Sequence, residues 1–204
     1  LAFLAASVWL VAFHFMYASN HENKALIWAK LAYLGVPFIS VALYDLAVRM
    51  RGQYQSQKIF VWGAWMVSGI FTMLAFDSDL IARVTRQWWG FYPRYGQAGP
   101  LFVGYFGVMA AGSLWHFYQP YQEAKSASRQ RMVQFVALGV IAGYLAGVDF
   151  MAKFGPSIYP FGYFCIFVSA LLVFQGIAQD AGGTDAGHTC TGPNAPPTST
   201  SRDD

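Results

Sequence analysis

Apolar residues in this sequence are gathered into blocks; they neither alternate nor recur as narrow stripes. Six runs hold 18 or more residues each with few or no charges: 1–18, 26–48, 59–76, 100–118, 132–150 and 158–178. A helix that crosses roughly 30 Å of hydrocarbon needs about 20 such residues, whereas a helix of a soluble domain averages about 11–12. Strands of a membrane barrel would alternate over shorter segments, and these runs do not. The pattern predicts an all-α, polytopic membrane helix bundle of six spans over residues 1–179. The remaining stretch, 180–204, is rich in Gly, Pro, Ser and Thr and too polar to bury a core. It is expected to be a disordered cytoplasmic tail.

Composition sharpens the picture. The chain is 56% apolar and 18% aromatic but only 11% charged, against about 25% charged in a soluble domain. A water-facing globule and general disorder are both excluded. The net charge of +3 does not point to nucleic acid, because the cations are scattered through loops between apolar runs. Cys165 inside a run and Cys190 in the tail offer neither zinc spacing nor a CxxC pair, so no metal, cofactor or disulfide is expected. The first residue is Leu, already inside an apolar run, and the start reads as clipped.

The loops fall into two sets. Segments 49–58 and 119–131 carry six cations in 23 residues; segments 19–25, 77–99 and 151–157 carry five in 37. The positive-inside rule places the first set, with both termini, in the cytoplasm. Loop 77–99 then becomes the longest external segment. Its Trp88, Trp89, Phe91, Tyr92 and Tyr95 fit an interfacial aromatic belt or, more sharply, a lid over an external pocket.

Ionisable groups inside membrane spans are costly and informative. His14, Lys30, Asp45, His116 and Asp149 all fall near span ends, which weighs against a proton or ion pathway through the midplane. Asp45 and Arg49 are spaced for an i, i+4 ion pair. Gly139, Gly143 and Gly147 form a small-residue stripe for close helix packing, and Gly104, Gly107 and Gly112 suggest a second. Pro37 and Pro160 are expected to kink their helices. No phosphate loop, nucleophile motif or carboxylate cluster is present, and one His pair, His14 and His116, is thin ground for haem. The chain is not expected to be an enzyme.

The run Trp28-Ala29-Lys30-Leu31-Ala32-Tyr33-Leu34-Gly35, followed by Val36-Pro37-Phe38, resembles the signature of the seven-helix N-terminal region of bacterial histidine kinases. Looser likenesses are Gly99-Pro100-Leu101-Phe102, Ser128-Arg129-Gln130-Arg131 before a glycine-bearing helix, and Tyr159-Pro160-Phe161-Gly162-Tyr163. Together they cover about residues 1–179. The resemblance implies helices two to seven of a seven-helix input domain in the bacterial cytoplasmic membrane, ending in the cytoplasm. It also implies a partner: a kinase-type output domain, in cis or in trans. The sequence departs from the pattern at the output, because no phosphorylatable dimerisation helix and no ATP-binding segment follow, and His188 sits in the tail.

The expected function is therefore a non-catalytic, signal-sensing membrane input module, with the bilayer and a small ligand or lipid as partners and a homodimer as a possible assembly. Lys30, Tyr33, Trp88, Trp89 and Tyr105 are the candidate ligand-binding residues, chosen for cationic and aromatic chemistry near one membrane face. Two alternatives stand beside it: a small-solute transporter or channel, which would want polar groups through the midplane, and a scaffold subunit associating through the Gly139/Gly143/Gly147 face.

Overall fold

The computed structural model describes residues 1–123, 126–155 and 159–185. Helix α1 (Ala2–Tyr17) ends at a polar turn, and α2 (Glu22–Ala32) begins with Glu22 in its first turn, where a carboxylate complements the helix dipole. A three-residue turn at Tyr33–Gly35 separates α2 from α3 (Val36–Met50). Pro37 explains the break. It has no N–H to give, and its ring would strike the carbonyl of Tyr33, four residues back, were the helix continuous.

Helix α4 (Tyr54–Phe76) leads into two antiparallel strands, β1 (Ile81–Gln87) and β2 (Gly90–Tyr95). Thr85 pairs with Tyr92 and Gln87 with Gly90, and an irregularity falls between Ile81 and Arg83. Gly90 closes the turn at φ 131°, a conformation that needs glycine. Then follow α5 (Gly99–Glu123), α6 (Ala127–Leu145), a single 3-10 turn (Ala146–Val148), the short α7 (Asp149–Ala152) and α8 (Gly162–Asp185). Ser126 caps α6 by accepting from Arg129 N–H.

The described residues are mostly helical, and the greater part of each of the six apolar runs lies on helix. Among the described residues, four stretches are long and apolar enough to cross a membrane: Glu22–Met50, Tyr54–Phe76, Ala127–Ala152 and Gly162–Gln179. Helix α1 is apolar but has 16 residues, and in α5 the apolar character is diluted by Gly104, Gly107, Gly112, Ser113 and His116.

Three expectations need correction. The segment 77–99 is not a simple loop but folds as the β1–β2 hairpin, so the architecture is helical with one added two-stranded element. Pro160 kinks nothing, because α8 starts two residues after it. That helix also runs to Asp185, into the stretch read as a tail; 186–204, with His188 and Cys190, lie outside the described residues.

The interior is apolar, as in a water-soluble globule, but much of the outer surface is apolar as well. Ile59, Met66 and Met73 of α4, and Phe164, Phe167 and Phe174 of α8, face outward and are more than half exposed. An outward surface this apolar needs a hydrocarbon environment or a partner. The glycine stripe lies inside the bundle. A Cβ at Gly139 would press on Val173 and Ser169 of α8, at Gly143 on Ser169, and at Gly147 on Phe106 of α5. Gly104 and Gly107 face open space, while Gly112 makes room for Tyr44.

Candidate functional site

Breaking a helix inside an apolar bundle frees backbone carbonyls, which then need donors from neighbouring helices. Helix α4 answers the α2–α3 break with a row of groups spaced four residues apart. Thr72 Oγ1 donates to the carbonyl of Tyr33 at 3.0 Å, and Ser68 Oγ donates to that of Pro37 at 3.0 Å. Tyr105 of α5 joins the same row, with its hydroxyl 2.8 Å from Ser68 Oγ and 2.9 Å from the carbonyl of Ala64. At the end of the row, Lys30 Nζ donates to the carbonyl of Phe76 at 2.7 Å and to Ser78 Oγ at 2.8 Å. The lysine thus caps the C-terminus of α4, where a cation is favoured.

Tyr33 also faces the hairpin. Its hydroxyl lies 2.9 Å from Tyr95 Oη of β2 and accepts from Lys153 Nζ at 2.9 Å. Lys153 follows α7 and is 1% exposed, a rare state for a lysine. Its ammonium sits 4.7–5.5 Å from the ring centroids of Phe150, Tyr33, Tyr95 and Phe13, within cation–π range. Burial pushes its pKa from 10.5 down to about 7, and the Asp149 carboxylate one turn away offsets only part of that. Burial likewise holds the hydroxyls of Tyr92 and Tyr95 well above the usual phenol value.

The hairpin is tied to the α7–α8 connection by three more bonds. Tyr95 N–H donates to the carbonyl of Lys153 at 3.2 Å. Arg94 Nη1 donates to the carbonyl of Ala152 at 2.8 Å, and Tyr92 Oη to that of Asp149 at 2.9 Å. Asp149 itself accepts from Phe161 N–H and from Gly162 N–H, both within 3.0 Å, and so caps the start of α8.

No family model, curated protein or solved structure matches the chain.

Of the five residues named from sequence, Lys30, Tyr33 and Tyr105 all meet α4 around the broken helix. Trp88 and Trp89 lie apart, at the tip of the hairpin, where both pack on Tyr159 with centroids 5.5 and 5.6 Å away. Sequence reasoning missed Ser68, Thr72 and Lys153, and named Tyr95 only among the aromatics of the belt or lid. The Gly35–Pro37 interruption was the available pointer to the first two, since an interrupted apolar run marks a place where backbone must find outside partners.

The opposite end of the bundle has different chemistry. Arg49 pairs with Asp45 at 2.7 Å and lies over the Tyr54 ring. His116 stands 3.1 Å from Arg51 Nη1 and 3.4 Å from Tyr44 Oη. A cavity of about 530 Å³ opens between α1, α3, α6 and α8, lined by apolar side chains with Asp45, Arg49 and Arg129. Among the described residues, no three His, Cys, Asp or Glu side chains gather as a metal site.

Proposed function

We propose that the chain is a membrane signal-input module, non-catalytic in itself, that passes a change in helix packing to an output domain beyond α8. The observation that carries this reading is the Lys153–Tyr33–Tyr95 chain. It fastens three elements distant in sequence: the broken α2–α3 segment, the hairpin, and the connection that leads into the last helix. A stimulus that favours one arrangement of the hairpin would bias α8 through these bonds, as any ligand does that binds two states unequally.

Several finer points belong to the same proposal. All six helical segments are read as spans, with α1 and α5 completing the four that meet the length and hydropathy requirement. The hairpin end is external and the Arg49 end cytoplasmic, because the cation-dense loops lie at the latter. The Trp28–Gly35 run supports kinship with the seven-helix input regions of bacterial histidine kinases, and hence the bacterial cytoplasmic membrane as the location.

The test is a chimera in which α8 is joined to the dimerisation and ATP-binding domains of a histidine kinase. Autophosphorylation in membranes should shift when Tyr33→Phe, Tyr95→Phe or Lys153→Met loosens the chain. Gly104→Leu, facing open space, should leave it unchanged. Identical activity in all variants would remove this site from signalling.

A further inference from the structure

Beside the bonded cluster lies a separate cavity of about 250 Å³ between α1 and the start of α8. Trp9, Phe13, Tyr17, Tyr159 and Tyr163 line it together with Asp149, and His14, Leu10 and Pro160 complete the wall. Two features set it apart from an ordinary crevice. Five of its walls are aromatic, and aromatic faces attract cations through their quadrupoles. Another is the carboxylate of Asp149, 4% exposed, with no cation within salt-bridge distance among the described residues. Lys153, one turn on, turns its ammonium to Tyr33 Oη instead. Buried charges are ordinarily paired; this carboxylate has the backbone N–H groups of Phe161 and Gly162 and the more distant Lys153 charge, and no cation in contact among the described residues.

We infer that this cavity binds an organic ammonium group, with the cation held against Asp149 and the aromatic rings. A carboxylate attracts any cation, but the surrounding rings favour one that is weakly hydrated and alkylated over sodium or potassium. The cavity is open to the bundle surface between two helices, so the group can arrive as a free solute or as the headgroup of a lipid. Occupancy would bear on α8 directly, since Asp149 caps that helix. The inference deepens the sensory reading by naming a ligand class. Binding is measured on the purified chain without a kinase, so its failure and the failure of the chimera are distinguishable.

The full chain in nanodiscs of phosphatidylglycerol, which carries no ammonium, is titrated with choline and with its neutral isostere 3,3-dimethylbutanol by calorimetry. Choline should saturate and the isostere should not. Tyr17→Leu and Tyr163→Leu should each weaken choline about tenfold, the loss of one strong cation–π contact. The Tyr17 hydroxyl holds no side-chain hydrogen bond among the described residues, and Tyr163, whose hydroxyl meets that of Tyr159, is half exposed, so both variants should fold. Asp149→Asn keeps an acceptor for the α8 cap and should weaken choline further. In a second arm, discs doped with phosphatidylcholine should compete with free choline if the headgroup is the source; saturation without competition assigns a free solute. Equal binding of the isostere, wild-type affinity in both leucine variants, or no effect of either choline or phosphatidylcholine would overturn the inference.

Discussion

Replacing Lys153 by Met should flatten the dependence of stability on pH. Methionine matches the length of the lysine stem and brings no charge. In the folded protein Lys153 releases its proton near pH 7, but in the unfolded chain only near 10.5. Between those values the unfolded state binds one more proton, so stability rises with pH. The slope is about 1.4 kcal/mol per pH unit, or roughly 2.7 kcal/mol between pH 7.5 and 9.5. Tyr92 and Tyr95 act in the other direction, because raised phenol values cost stability as pH climbs above about 10. Measurement should therefore stop at 9.5. Reversible unfolding in mixed detergent micelles at several pH values reads the difference between wild type and Lys153→Met, which cancels all other titrating groups. At pH 7.5 the variant should be the more stable, because an uncharged side chain of similar volume escapes the burial penalty. Parallel curves for the two proteins would refute a buried, titrating lysine.

Other substitutions test the packing. Gly35→Ala places a Cβ against the backbone carbonyl of Ala5 in α1 and should cost about 1–3 kcal/mol in the same unfolding assay. Gly139→Leu should drive α6 from α8 and lower the thermal midpoint, while Gly104→Leu, facing open space, should leave it within error. Thr72→Val removes the donor to the Tyr33 carbonyl and should cost about 0.5–1.5 kcal/mol; a neutral result would mean that the carbonyl finds another partner.

The helices were legible because length and hydropathy alone make a span, and the blocks at 59–76 and 132–150 fall within α4 and the α6–α7 stretch. The hairpin was not. Its β1 segment departs from strict alternation where the pairing slips between Ile81 and Arg83, and Pro93 in β2 argues locally against a strand. Trp88 and Trp89 carry the composition of an interfacial belt whether the backbone is extended or not. Lys153 escaped for a different reason. Counted along the chain it is one more loop cation, and its burial depends on Tyr33, 120 residues away. Tyr33 and Lys30 could be named because the helix break and the cation lie close together in sequence. Their partners on α4 are set by tertiary packing, which no local pattern records.

The central claim is that the hairpin-end cluster controls the position of α8. Spin labels at Ile59 of α4 and Ile177 of α8, both more than half exposed, report that position near the Arg49 end. Distance distributions from pulsed electron resonance should shift, or gain a second population, when Lys153→Met or Tyr95→Phe is introduced, and should not change with Gly104→Leu. Superimposable distributions in all four proteins would contradict the account.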